Sequence, residues 1–99
     1  MSCNRTQLCG RLETRGVLRH SPAGVALIEF TIAHRSDQVE ARAKRKVDCV
    51  MNALAAEALA EQVAKFAKGC QVNATGFLAK HSRDSNVLVL HVQNIELIE

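Results

Sequence analysis

The stretch from Phe66 to Leu78, FAKGCQVNATGFL, constrains the fold most. It reads as the end of an amphipathic helix, a turn at Lys68-Gly69, and a strand in which Val72, Ala74, Gly76 and Leu78 alternate with Gln71, Asn73, Thr75, Phe77 and Ala79. Gly69 suits the left-handed position just past a helix, where a Cβ would clash. Lys68 places positive charge at the negative end of the helix dipole. Gly76 inside a strand marks a bend, a bulge or a close backbone approach. A helix feeding a sharply bent strand fits a small closed barrel with the helix plugging one end.

The rest of the chain supplies the other strands. Arg5 to Arg15 alternates with period two, and Gly10 permits a bend. Gly16 to Gly24 carries turn chemistry and the only proline. Val25 to Arg35 is the clearest strand, with Ala26, Ile28, Phe30 and Ile32 on one face and Leu27, Glu29, Thr31 and Ala33 on the other. Asp37 to Lys44 is expected as a loop, or equally as the mobile tip of a long hairpin. Arg45 to Met51 is a third strand, and Asn52 is placed to cap a helix over Ala53 to Lys68. In that helix Ala55, Leu59, Val63 and Phe66 draw one apolar stripe. Gln71 to Lys80 is the fourth strand, His81 to Asn86 a polar loop, and Val87 to Leu97 the fifth strand, with a bulge at Asn94 explaining a break in its alternation.

The order is β-β-β-α-β-β over residues 1–99, read as one domain. It is all-β with one helix, a five-stranded oligonucleotide/oligosaccharide-binding (OB) barrel with the helix between strands three and four. Only three aromatics are present, Phe30, Phe66 and Phe77, so the core must be aliphatic. One small barrel buries one face of each strand. The second faces of strands two (Val25, Leu27, Ala33) and five (Val87, Val89, Ile95) therefore offer surplus apolar surface, which points to a homodimer.

Charge locates the candidate ligand face. Between Arg35 and Lys46 stand five basic residues (Arg35, Arg42, Lys44, Arg45, Lys46) and two acidic ones (Asp37, Glu40), while the remainder of the chain is balanced at eight of each. A basic patch on a balanced domain favours a polyanionic partner, although a solvated basic loop serves solubility equally well. In an OB barrel this segment and the loops holding Arg19, His20, Lys80, His81 and Arg83 flank the ligand groove. These cations, with His34 beside Arg35, would bind phosphates. Phe77 stands as a possible base-stacking residue, with burial on a second apolar face slightly favoured, and Phe30 and Phe66 are assigned to the core. Binding led by phosphates brings steep salt dependence and little sequence preference.

Other chemistry finds little support. His34, Ser36 and Asp37 are too close in sequence to line up as a triad, and no G-x-S-x-G elbow exists. The four histidines lie on different elements, and the four cysteines (Cys3, Cys9, Cys49, Cys70) show no C-x-x-C pair, so no catalytic residue, metal site or cofactor is assigned. Cys9, Cys49 and Cys70 are read as small apolar residues with reduced thiols. The polar start MSCNRTQ is no signal peptide, and a cytoplasmic location is expected.

The segments HSPAGVALIEFTIAHRS, VDCVMN, FAKGCQVNATGFLAKHS and LVLHVQNIELIE together resemble the primosomal branch of the single-stranded-DNA-binding OB family. The resemblance spans nearly the whole chain. It implies a homodimer that binds single-stranded DNA, supports restart of stalled replication forks, and works with a restart helicase and other primosome proteins. By position, Arg19, Arg35, Lys80, Arg83 and the run Arg42 to Lys46 match basic groove residues of the family. Ala43 and Asp48 stand where family members can carry aromatics, so affinity is expected to rest on Lys44, Arg45 and Lys46. A protein-interaction adaptor that mainly docks the helicase, and an RNA-binding OB domain, remain the alternative readings.

Overall fold

A computed structural model describes residues 2–98. Six strands and one helix follow in the order β1 (Thr6–Arg15), β2 (Arg19–His20), β3 (Ala26–Glu40), β4 (Ala43–Ala56), α1 (Ala58–Ala64), β5 (Gln71–Lys80) and β6 (Leu88–Ile98). The two-residue β2 pairs with the start of β3 inside the expected turn region. Counted over six strands, the helix therefore sits between the fourth and fifth, not between the third and fourth as expected.

The strands form one sheet in the order β1-β5-β6-β4-β3-β2, and β1 also pairs with β3. The first half of β1 lies against β5 (Thr6↔Gly76 to Arg11↔Gln71) and the second half against β3 (Arg11↔Ala33 to Arg15↔Phe30). The pairings thus run in a ring from β1 back to β1. All are antiparallel except the short β4–β6 contact at Ala53↔Leu90 and Leu54↔His91.

Gly10 stands where β1 changes partners. A Cβ there would meet the Ala33 carbonyl oxygen and lie 2.7 Å from Ile32 Cγ2. Gly76 sits where the β5–β6 register slips, between Thr75↔Asn94 and Gly76↔Val92. The extra residue is Gln93, one position before the expected bulge at Asn94. At Gly76 a Cβ would strike the His91 carbonyl, so only glycine lets the two backbones approach. Gly69 has φ +90°, the left-handed turn its sequence position predicts.

The helix is much shorter than its alanine-rich sequence suggests. Asn52 is not its cap but a β4 residue opposite Thr31, and Ala53, Ala55 and Ala56 continue the ladder opposite Phe30, Ile28 and Leu27. Alanine is compatible with either structure. Here pairing with β3 satisfies the backbone and buries Ala53 and Ala55 on the core side. The chain breaks at Glu57, with φ 57° and ψ −127°, whose amide donates to the Ala26 carbonyl (2.8 Å). Two turns of helix follow. They tighten at the end through Lys65 N to Gln62 O (3.1 Å) and Phe66 N to Val63 O (3.0 Å).

Ala60, Val63 and Phe66 carry the helix side of the core. They join Leu12, Ile28, Phe30, Ile32, Val72, Ala74, Leu90, Val92 and Ile95 from the sheet. Leu12, Ile28, Ile32 and Leu90 are fully buried, each worth about 2 kcal/mol of transfer free energy. The core is aliphatic around Phe30 and Phe66, as composition requires. The surplus apolar surface is largely made of other residues than expected: of those named only Val87 is exposed, and Val50, Leu88, Leu97 and Ile98 join it. Val89 and Ile95 are buried within the chain, and Val25, Leu27 and Ala33 are half-buried. Among the described residues no helix is long and apolar enough to cross a membrane.

Candidate nucleic-acid interface

Of the two expectations for Asp37 to Lys44 the long hairpin holds and the loop does not: β3 and β4 run on as a two-stranded ribbon, paired from Leu27↔Ala56 to Glu40↔Ala43. The ribbon extends the molecule, whose long dimension is 50 Å. Its turn is two residues, Ala41 (φ 52°) and Arg42 (φ 67°). Two successive positive φ angles match the right-handed twist of a hairpin, usually supplied by Asn-Gly.

Strand alternation assigns a face to each cation. Cross-strand pairs Glu29↔Leu54, Thr31↔Asn52, Ala33↔Val50, Arg35↔Asp48, Asp37↔Lys46 and Val39↔Lys44 share the face opposite the core. Arg45, Cys49 and Met51 lie on the other side of β4, in line with the buried Ala53 and Ala55. The five basic residues of the segment are therefore not equivalent. Arg35 pairs with Asp48 (3.2 Å) and Arg45 with Glu40 (2.8 Å). Arg42, Lys44 and Lys46 make no ion pair among the described residues.

His34 belongs to the core side of β3 and not with Arg35. Its Nδ1 is 2.7 Å from the Cys9 carbonyl and its Nε2 2.7 Å from Ser36 Oγ. A carbonyl only accepts, so Nδ1 carries the proton and donates. Gln38 Nε2 in turn donates to Ser36 Oγ (3.0 Å). Both ring nitrogens are thus engaged within the chain where β1 parts from β3.

Toward the body, the same outer face enters an open groove of about 610 Å³ between the end of β1, β3, β4 and the loop after β5. Thr14, Arg15, Glu29, Thr31, Asn52, His81 and Ser85 supply its polar groups, and Val87 and Val89 part of its apolar wall. Thr14 and Thr31 hydroxyls bond one another at 2.6 Å. The Arg15 guanidinium donates to the Phe66 carbonyl, which turns that cation toward the helix end. Arg19 and His81 flank Glu29 at 3.7 and 3.8 Å. Lys80 ends β5 and Arg83 lies on the loop after it, with Lys80 Nζ donating to the Arg83 carbonyl (2.9 Å). The loop is closed by His81 N to Val87 O (2.8 Å).

Two exposed groups of basic side chains therefore stand near the groove: Arg42, Lys44 and Lys46 on the ribbon, and Arg19, Lys80 and Arg83 around His81 of the groove lining. Phe77 is neither in the core nor in the groove. It lies 36% exposed on the outside of β5, stacked on His91 with ring centroids 4.9 Å apart and planes within 2°. The slight preference for its burial is overturned, because the bulge at Gln93 sets Phe77 opposite His91 on the outer face. Glu29, Thr31, Asn52 and His91 were missed as site residues. Alternation along β3 places Glu29 and Thr31 on the outer face, whereas nothing local in the sequence distinguishes Asn52 from a helix cap. All four cysteines are unpaired, and Cys9 and Cys49 are exposed rather than packed as small apolar residues. No group of three or more His, Cys, Asp or Glu among the described residues is arranged to hold a metal ion.

A ring of paired strands with a helix between β4 and β5, and a polar groove on the β3–β4 face, defines the architecture of single-strand-binding domains. A family model described as "Another single-strand binding protein family" matches residues 4–94. Replication restart protein PriB of Nitrosomonas europaea is 37% identical over 99 residues, covering 98% of this chain and 92% of that protein. PriB of Proteus mirabilis is 36% identical over 102 residues, covering 100% and 97%. A solved structure of PriB from Ralstonia solanacearum superposes with a TM-score of 0.89 at 32% identity, over 99% of this chain and 100% of that one. The single-stranded DNA binding protein from Thermus aquaticus, at 20% identity, shares the fold with a TM-score of 0.78, over 98% of this chain and 51% of that one. The chain belongs to the PriB-like branch of the single-strand binding family of OB-fold proteins.

Proposed function

We propose that this protein is a non-enzymatic single-stranded-DNA-binding accessory of the primosome that acts in replication restart. The carrying observation is the continuity of one surface. The groove with its hydrogen-bonding side chains opens onto the same face of the β3–β4 ribbon that bears Lys44 and Lys46. The names of the PriB relatives support a role in restart, and the family description supports a single-stranded ligand. The ring of strand pairings is read as a five-stranded OB barrel, with β2 as an added ribbon and α1 covering one end.

In this reading the phosphates follow Arg42, Lys44 and Lys46 along the ribbon and Arg19, Lys80, His81 and Arg83 at the groove mouth. The bases turn into the groove. Arg45 contributes less, because it lies on the opposite face of the ribbon, while Arg35 and Arg19 each stand beside a surface carboxylate, Asp48 and Glu29. Phe77 offers a stacking face on the side away from His91. The protein works in the cytoplasm as a homodimer, with a restart helicase and other primosome proteins as partners. Exposed Leu88, Leu97 and Ile98 of β6 leave apolar surface, away from the ribbon face, that association would cover.

The test is fluorescence anisotropy of a labelled oligo-dT over a salt series, with duplex as competitor. Single-strand preference with a steep salt slope is the expected result. Absence of binding at low salt would overturn the reading in favour of an adaptor that docks the helicase. Equal or tighter binding of a matched RNA would redirect it to RNA. Sedimentation at micromolar concentration checks the dimer, and a monomer there would remove it.

A further inference from the structure

From His34 outward, little joins the β3–β4 ribbon to the body of the protein. The last β1–β3 pair is Arg11↔Ala33, and β4 meets β6 only at Ala53 and Leu54. Beyond these points residues 34–40 and 43–49 pair only with one another. No residue from 34 to 50 contributes to the hydrophobic core. Among the described residues, one side-chain hydrogen bond ties this segment to the rest of the chain. It runs from His34 Nδ1 to the Cys9 carbonyl, at 2.7 Å.

The Cys9 carbonyl needs a donor on this side. β1 has left β3 here, and Cys9 is paired with Asn73 of β5, so the β3 backbone offers it no amide. A backbone carbonyl without a partner costs about as much as a lost hydrogen bond, and the His34 ring supplies the missing donor. With the proton on Nδ1, Nε2 accepts from the Ser36 hydroxyl (2.7 Å), and Ser36 Oγ accepts from Gln38 Nε2 (3.0 Å). The donors thus run in one direction, from Gln38 through Ser36 and His34 to Cys9. These three β3 residues alternate along the face opposite Lys44 and Lys46, and Gln38 stands across from Arg45, between the two lysines. The chain of bonds reaches from the body to the level of the unpaired lysines without occupying the face that carries them.

We infer that His34 is a positioning residue for nucleic-acid binding, which holds the ribbon against the body so that Lys44 and Lys46 stay in line with the groove. The inference rests on the nucleic-acid reading of groove and ribbon and adds to it what keeps the two aligned. A single strand that lies in the groove and along the ribbon at once needs both surfaces in one fixed relation. A ribbon free to pivot beyond Ala33 has to be ordered each time a strand binds, and that ordering subtracts from the affinity. His34 touches no phosphate in this account and acts only through the lysines.

The experiment measures oligo-dT affinity by fluorescence anisotropy at one low salt concentration. It compares the parent with Lys44→Gln/Lys46→Gln, each with and without His34→Ala. In the parent, His34→Ala is expected to weaken binding about fivefold. In the lysine-free background it should weaken binding by less than about twofold, because the residues it positions are gone. His34→Asn, whose side-chain amide can donate to the Cys9 carbonyl from near the place of Nδ1, should recover most of the loss. Ser36→Ala cuts the next link of the chain and should show the same dependence on background, at about threefold. Far-UV circular dichroism establishes that each variant is folded, and if His34→Ala is not, Ser36→Ala carries the comparison. An equal loss in both backgrounds marks general damage to the fold and would overturn the inference. Full affinity in His34→Ala, or no recovery in His34→Asn, would overturn it too, and the groove reading would stand in each case. If the parent itself does not bind at low salt, the nucleic-acid reading fails and the positioning role fails with it.

Discussion

The ribbon cations allow a test in which neighbouring residues should behave differently. Lys44 and Lys46 share the outer face of β4 with Asn52 of the groove and are unpaired. Arg45 between them faces the other way and is held by Glu40 at 2.8 Å. Each phosphate contact to a single strand contributes about 0.7 to the slope of log K against log salt. The double variant Lys44→Gln/Lys46→Gln removes two such contacts, so the slope should become shallower by about 1.4. Between 50 and 200 mM salt the parent should therefore lose about sevenfold more affinity than the variant. Arg45→Gln should leave the slope unchanged within about 0.3, because its side chain lies on the opposite face of the ribbon from Lys44 and Lys46. Anisotropy titrations of a labelled oligo-dT at four or more salt concentrations measure the slopes. The face assignment is refuted if Arg45→Gln lowers the slope as much as the double variant does, or if the double variant does not lower it. Asp37 lies opposite Lys46 across the ribbon, so Asp37→Asn should move the affinity upward at low salt.

Three further outcomes follow from the geometry. Gly76→Ala puts a Cβ into the His91 carbonyl and 2.8 Å from its carbon. Forcing the bulge apart should cost about 3 kcal/mol and lower Tm by about 15 °C. With no Trp or Tyr in the chain, melting is followed by far-UV circular dichroism, and Gly24→Ala, with nothing within 4 Å, serves as the milder control. Glu57→Gly relieves a positive φ of 57° in a residue that makes no side-chain cap bond, and should raise stability by about 1 kcal/mol in urea unfolding. Phe77→Leu removes a stacking face but keeps the site apolar. If a base stacks there, oligo-dT affinity should fall by about tenfold without a change in salt slope.

How much of this was legible beforehand differs by element. The strand faces of β1, β3 and β5 could be read from the sequence, because a two-residue period is a local signal. The same holds for Gly69 and Gly76, where a missing Cβ announces a turn and a close approach. The faces of β6 could not be read, since Val89 and Ile95 of its expected outer face are buried and Leu88 is exposed. Ala53 to Ala56 were misassigned because alanine commits to neither helix nor strand. Their partners Phe30, Ile28 and Leu27 lie more than twenty residues away, and no local pattern reports a ladder made with them. The basic segment was found by counting, yet counting treats Arg45 as equal to Lys44.

The sequence by itself determined the binary pattern, the aliphatic core, the basic segment and the resemblance that linked the parts. Tertiary structure alone decided which charges are free. Arg35, Arg45 and His34 are satisfied by Asp48, Glu40, Cys9 and Ser36, through registers that only a folded ribbon sets. It also decided that Phe77 meets His91, since one extra residue at Gln93 shifts β6 against β5. The groove around Glu29 is likewise built from β1, β3, β4 and a loop some fifty residues further on. Alternation is written along the chain, whereas neutralisation, stacking and enclosure depend on distances across it.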